Sequence, residues 1–87
     1  MNYIFPIYRK FSHNNTYFKI NSKENFDELN IIGSKYMITN QQALAYPEFM
    51  LIVDMIENSN DHWINSDENE FADRLSYCIE HLTKKEI

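Results

Sequence analysis

Cys78 and His81 are the first pair whose types and spacing could do chemistry. Three positions apart on a helix, their side chains can touch, and a cysteine beside a histidine is the minimum for a thiol nucleophile. Cys78 also belongs to an apolar stripe, where a free cysteine behaves as a small hydrophobic residue. A chain with one glycine has few loop amides from which to build an oxyanion hole. The sequence therefore predicts no catalytic residue, and we lean away from an enzyme.

A second set of possible ligands surrounds a predicted turn between two helices: Asp54, Glu57, Asp61 and His62. Calcium loops alternate acidic residues around a central glycine, and zinc sites pair histidines or cysteines, so this spacing fits neither. We interpret the first two as the solvated face of a helix and Asp61 as a turn residue. The sequence predicts no metal site and no cofactor, and an enzyme or metal protein built on Asp54 to His62 is the third hypothesis.

Basic and aromatic residues alternate near the N-terminus, and this pattern indicates a binding surface. The candidate binding residues are Tyr8, Arg9, Lys10, Tyr17 and Lys19. Strand aromatics interleaved with cations hold single-stranded nucleic acid through base stacking and phosphate contacts. Exposed tyrosine and arginine are also the residue types that concentrate binding energy in protein interfaces.

The distribution of charge decides between these two interpretations. Residues 1–36 hold five basic and three acidic residues, whereas residues 37–87 hold three basic and ten acidic residues, and the net charge is −5. A net-acidic chain repels phosphate backbones unless a local basic face dominates. The leading hypothesis is therefore a non-enzymatic binding or protein-interaction domain, whose partner is another protein or a second copy of the chain. A small nucleic-acid-associated protein that uses the same hairpin is the alternative.

Two hairpins are predicted to position the candidate binding residues. The first joins a strand over 3–11 to a strand over 16–20 through a turn at 12–15 that includes His13. Pro6 cannot donate a ladder hydrogen bond, so either the first strand lies at an edge of the sheet or Pro6 lies at a bulge. The second joins strands over 28–32 and 35–39, with Gly33 supplying a positive φ. A helix over 22–32 competes with the third strand, because Phe26, Leu29 and Gly33 have helical spacing.

Two amphipathic helices are predicted to follow. The first begins near Pro47, ends within 58–61 and has a core stripe of Phe49, Ile52, Val53 and Ile56. The second begins after a capping signal at 65–68. Its core stripe is Phe71, Ala72, Leu75, Cys78, Ile79 and Leu82, and its supporting ion pairs are Glu70 with Arg74 and Glu80 with Lys84.

Together these elements predict one α+β domain over residues 1–87. Its sheet is small and antiparallel, with three to four strands in two hairpins, and both helices pack on one face. The single Cys78 excludes an internal disulfide, and no apolar run approaches the ~20 residues that a membrane span needs. We therefore expect a cytoplasmic protein without a membrane partner.

Five short runs carry a resemblance to other proteins. They are residues 8–10 (YRK), 17–20 (YFKI), 32–36 (IGSKY), 46–48 (YPE) and 54–56 (DMI). With these runs the chain resembles a group of short uncharacterised bacterial proteins over most of its length. The resemblance implies no activity, substrate or site residue.

Overall fold

A computed structural model describes residues 3–11, 15–59 and 61–85 of the chain. The elements in chain order are β1 (Ile7–Phe11), β2 (Thr16–Ser22), β3 (Asn25–Ile32), β4 (Lys35–Gln42), α1 (Tyr46–Glu57), β5 (Trp63–Asn65), α2 (Glu68–His81) and β6 (Thr83–Lys84). Most of the turn predicted between the first two strands, including His13, lies outside the described residues. The fold is α+β.

The strands form one six-stranded sheet in the order β5-β1-β2-β3-β4-β6. All neighbours pair antiparallel except β4 and β6, which are parallel, so the sheet is mixed. The predicted antiparallel sheet of three to four strands is therefore wrong. The two predicted hairpins form the central four strands, whereas β5 and β6 have only three and two residues. Elements this short show no hydrophobic period that a sequence could reveal.

Residues 25–32 form the strand β3, so the competing helix over 22–32 is wrong. β2 continues to Ser22, a two-residue turn follows, and β3 begins at Asn25. Within the turn, the backbone N–H of Glu24 donates to the Ser22 hydroxyl at 3.1 Å. The next turn has Gly33 at φ +60°, as the sequence predicts for the second hairpin. Pairing with both neighbouring strands outweighs the helical spacing of the apolar residues in this segment.

Pro6 precedes β1, which begins at Ile7. β1 pairs with β2 on one side and with β5 on the other, so the predicted edge position of the first strand is wrong. β5 is held in place by the end of α1. Asn58, in the left-handed conformation at φ 51°, accepts at Oδ1 from the Trp63 N–H at 3.1 Å, and its amide nitrogen donates to the Trp63 carbonyl.

The two helices cover opposite faces of the sheet, and the prediction that they share one face is wrong. Strand side chains alternate in direction, so Tyr17 points to one face and Phe18 to the other. The cluster on the α2 face is Tyr8, Tyr17, Leu29, Ile31, Tyr36, Phe71 and Cys78. The cluster on the α1 face is Phe18, Ile20, Phe26, Ala43, Ile52, Met55 and Ile56. Local periodicity does not encode which face a helix will cover.

α2 uses part of its predicted stripe. Phe71 and Cys78 are buried, whereas Ala72 and Ile79 are exposed. Asp67 caps the helix by accepting a hydrogen bond from the Glu70 N–H at 2.8 Å. The predicted pair of Glu80 and Lys84 does not fit, because the helix ends at His81 and Lys84 lies in β6. Within the described residues, neither helix has the length and apolar character needed to cross a bilayer.

α1 ends against the side chain of Arg9. The last four carbonyls of a helix have no partner within the helix, and α1 has no basic residue in its last turn. Arg9 supplies the missing donors from β1: its Nε donates to the Met55 carbonyl at 2.9 Å and its Nη2 donates to the Ile56 carbonyl at 2.8 Å. Its Nη1 donates to the Tyr8 carbonyl at 2.8 Å. One guanidinium thus caps the C-terminus of α1 and ties it to the sheet.

Replacing Arg9 with methionine is expected to lower the free energy of unfolding by about 2 kcal/mol, because charge-assisted hydrogen bonds to partly buried carbonyls are lost. Arg9→Lys keeps the charge but lacks the planar fork, so it should recover less than half of that loss. Urea unfolding, monitored by circular dichroism, measures the stability of both variants. Lys35→Met, at an exposed position of β4, is the control. Equal stability of Arg9→Met and Lys35→Met would contradict the capping role.

Candidate functional site

The five candidate residues of the first hairpin are divided between the two faces of the sheet. Tyr8, Lys10, Tyr17 and Lys19 point to the α2 face, and Arg9 points to α1. Both tyrosines are only 9% exposed. The ring of Tyr8 lies 5.8 Å from that of Phe71, centroid to centroid, in the core beneath α2. The structure therefore brings four of the five residues together, with both aromatic rings inside the fold.

Lys10 forms an ion pair with α2. Its Nζ lies 2.6 Å from Oε2 of Glu70, whose other carboxylate oxygen accepts a hydrogen bond from the Ser66 hydroxyl. The hydrogen bond from Lys10 lowers the pKa of the Glu70 carboxyl, and the same bond raises the pKa of the Lys10 ammonium. Glu70 therefore contacts β1 across the interface between α2 and the sheet. The sequence prediction instead paired it with Arg74.

Arg74 lies against two aromatic rings. Its guanidinium carbon is 5.1 Å from the ring centroid of Tyr77 and 5.9 Å from that of Tyr17. Both distances fall within the range of a cation–π contact. The ring of Tyr17 is thus engaged within the domain, and this arrangement does not favour base stacking by the hairpin.

The part of the sheet beyond α2 is polar. The residues of this polar ladder are Asn21, Asn25, Asp27, Asn40 and Gln42. Asn25 and Asn40 exchange two amide hydrogen bonds of 2.9 Å across β3 and β4. Asn40 also donates to Asp27 at 2.8 Å. Lys19, directly opposite Asp27 on β2, is half-buried at the margin of the ladder. The sequence gives no sign of this arrangement, because the five residues come from three strands.

The Asp54 to His62 segment is divided between two grooves. Asp54 and His62 line a groove of about 160 Å³ together with Ser59 and Trp63. Glu57 instead lines a second groove, and its carboxylate accepts a hydrogen bond from the Tyr3 hydroxyl at 3.3 Å. Among residues 3–11, 15–59 and 61–85, no three histidine, cysteine, aspartate or glutamate side chains are placed to hold a metal ion.

Cys78 is fully buried, and burial raises the pKa of its thiol. A thiol with a raised pKa is a poor nucleophile at neutral pH, because the thiolate is the reactive form. The His81 ring, whose centroid is 4.9 Å from that of Tyr77, lies at the exposed end of α2. The pair that the spacing suggested is thus a core residue beside a surface residue.

Five of the large apolar side chains that are exposed in the described part of the chain lie on or just before α1. They are Leu44 at 83% exposed, Tyr46 at 62%, Phe49 at 37%, Met50 at 40% and Leu51 at 43%. Tyr46, Phe49, Met50 and the half-buried Val53 follow an i, i+3, i+4, i+7 spacing, which places them on one side of the helix. We call these four residues the outer stripe.

α1 is apolar on two sides. The inner side, Ile52, Met55 and Ile56, is buried against the sheet. The sequence prediction placed Phe49 and Val53 in the core and omitted Met55, and on these three residues it is wrong. Helices that are apolar around their circumference are normally buried in full. The described part of the chain leaves the outer stripe of this one open to solvent.

The charged residues of α1 itself are all negative. α1 contains Glu48, Asp54 and Glu57 and no lysine or arginine. Glu48 belongs to the cap at the N-terminus, where its carboxylate accepts from the backbone N–H of Leu44 at 2.8 Å and of Ala45 at 3.2 Å. Asp54 and Glu57 are both exposed and follow Met50 and Val53 by one helical turn. The surface is therefore an apolar row with carboxylates at its C-terminal end.

Comparison with protein-family models, curated proteins and solved structures finds no match for this chain. The function is therefore inferred from the physical features of the surface. An apolar row with flanking carboxylates can bury area against another apolar surface. The outer stripe is therefore the candidate functional site.

The Lys10–Glu70 ion pair should make stability depend on pH at the acid end. The folded-state pKa of Glu70 is lowered, so its ionised carboxylate stabilises the fold. This contribution to the free energy of unfolding is complete above the unfolded carboxyl pKa of about 4.3, and it is lost as the pH falls through the folded-state pKa. A double-mutant cycle with Lys10→Met and Glu70→Gln should give a coupling of about 1 kcal/mol at pH 7. The coupling should decrease as the pH falls below the unfolded carboxyl value and Glu70 becomes protonated, and a coupling that is independent of pH would contradict the ion pair.

Proposed function

We propose that this protein is a non-enzymatic interaction domain that contacts a protein partner through the outer stripe of α1. The observation that carries the proposal is the second apolar side of this helix. Three exposed large side chains, Tyr46, Phe49 and Met50, lie in one row on this helix. Single exposed apolar residues are ordinary on a protein surface, but a contiguous row marks a contact site.

The row has the composition of an interface centre. Tyrosine, phenylalanine and methionine are enriched where two proteins meet, and aromatic side chains bury about 150–250 Å² each. Met50 lies between Tyr46 and Val53 along the helix, and its flexible thioether adapts to the shape of an opposing surface. Covering these side chains gains about 25 cal/mol for each Å² of apolar area removed from water. The contact would therefore be driven by burial.

The position of α1 supports the same proposal. Its inner side and the Arg9 cap fix the C-terminal half of the helix to the sheet, so little conformational entropy remains to be lost in that half when the outer stripe is covered. The buried Tyr8 and Tyr17 leave the first hairpin with a smaller share of accessible aromatic surface. We place the contact in the cytoplasm, since the cysteine is a free and buried thiol, as is usual in a reducing compartment.

A photo-activatable phenylalanine analogue at Met50 should cross-link the partner when the variant is expressed in the cells that normally make this protein. The same analogue at Ile79, which is 63% exposed on α2 and faces away from α1, is the matched control. Mass spectrometry of the adducts should give a discrete set for position 50 that position 79 lacks.

The same cross-linking is repeated with Tyr46→Glu added to the Met50 variant. A carboxylate in the apolar row should remove the adducts, because its desolvation opposes the contact. Circular dichroism and the urea midpoint check that the fold is kept. Equal adducts at positions 50 and 79, or adducts at position 50 that Tyr46→Glu leaves unchanged, would contradict the proposed function.

A further inference from the structure

We infer that the partner presents an amphipathic helix whose apolar stripe is flanked by lysine or arginine. This inference rests on the proposed function and names the chemistry of the partner for the same surface. Two properties of α1 carry it: the straight, narrow shape of the outer stripe and the sign of the charges beside it.

The shape of the surface fits a helix. The row from Tyr46 to Val53 has the spacing of one side of a coiled-coil seam, and with Glu57 it extends over about 16 Å. Leu51 lies about 100° around the helix from Met50, outside the outer stripe, and lines a groove between α1 and the end of β4. A helix laid along α1 can place its apolar side chains between those of the outer stripe, as ridges fit into grooves. Two turns of contact indicate a modest affinity and a reversible complex.

The charges select a basic partner. Asp54 follows Met50 by four residues and Glu57 follows Val53 by four, so both carboxylates border the C-terminal half of the outer stripe. Glu57 accepts a hydrogen bond from the Tyr3 hydroxyl at 3.3 Å but remains exposed. On the α1 face, Lys23 lies over the ring of Tyr3 at 5.5 Å from its centroid. Cations beside the partner's stripe would complement the two carboxylates.

A second copy of this chain would present the same negative charges and not the cations that the two carboxylates favour. A two-fold contact places the same surface on both sides, so α1 would meet another α1 that has three acidic residues and no basic residue. Residues 37–87, which supply both helices, contain ten acidic and three basic residues. Like charges brought together across an interface oppose association. The observed charges therefore favour a different, basic protein over self-association.

Two synthetic helical peptides test the inference. They share one leucine stripe and the same number of charges, but one carries lysine beside the stripe and the other carries glutamate. Fluorescence anisotropy measures their binding to the full-length protein. The lysine peptide is expected to bind about tenfold more tightly at low ionic strength, because each of two exposed ion pairs changes the binding constant about threefold. The difference should shrink as salt screens the charges.

Substitutions in the protein assign the effect to this surface. Asp54→Lys with Glu57→Lys should reverse the preference for the two peptides. Met50→Glu should weaken binding of the lysine peptide at least about tenfold, because a carboxylate then faces its apolar stripe. Ile79→Glu, on α2, should leave binding of both peptides unchanged. Circular dichroism of each variant verifies the fold.

Several results would overturn the inference: equal binding of the two peptides, binding of neither, or a preference that the double charge reversal does not alter. Sedimentation velocity completes the test. A concentration-dependent dimer that Met50→Glu abolishes would identify a second copy as the occupant. In that case, or if the adduct at position 50 is an acidic protein, the interaction function stands while the basic partner is excluded. Absence of a position-specific adduct would contradict the proposed function itself.

Discussion

Adjacent side chains of a strand point to opposite faces, and in β1 this alternation fixes both helices. Arg9 points to one face and donates to the last carbonyls of α1, whereas Lys10 points to the other and pairs with Glu70 in the first turn of α2. Arg9 therefore places a cation at the negative C-terminal end of the α1 dipole. Lys10 places a cation beside Glu70, an acidic residue of the type that stabilises a helix N-terminus. Two consecutive residues thus position the outer layers against the sheet.

Local chemistry accounts for the parts of the fold that could be predicted from the sequence. The Gly33 turn, the strands on either side of it and Pro47 in the first turn of a helix each depend on neighbouring residues. The allocation of the helices to the two faces could not be predicted, because β2 is apolar in both directions at Tyr17 and Phe18 and so accepts a helix on either side. β5 and β6 are defined by their pairing partners and not by their own residues.

At the first hairpin and at α1, residue type alone does not reveal which side chains are buried. Tyrosine, arginine and lysine at the hairpin suggested a surface, yet Tyr8 and Tyr17 are core residues and Lys10 joins two layers. Phe49 and Val53 of α1 suggested a core stripe, yet they belong to the outer stripe. Residue type describes what a side chain can do, whereas burial depends on which elements pass over it. A helix with two apolar sides offers no local signal to tell the buried side from the exposed one.

The two halves of α1 are held by different interactions, and this has a consequence for binding. The C-terminal half is buried through Ile52, Met55 and Ile56 and capped by Arg9, whereas residues 46–51 are all exposed and depend on Pro47 and the Glu48 cap. A partner seated on the outer stripe would cover the half that the sheet leaves uncovered. A ligand that binds only the folded chain adds RT ln(1 + [L]/Kd) to the free energy of unfolding, where [L] is the free ligand concentration. In a domain this small, where the core alone contributes a few kcal/mol, such binding adds an appreciable fraction of the total. A partner that bound the outer stripe would therefore also stabilise α1.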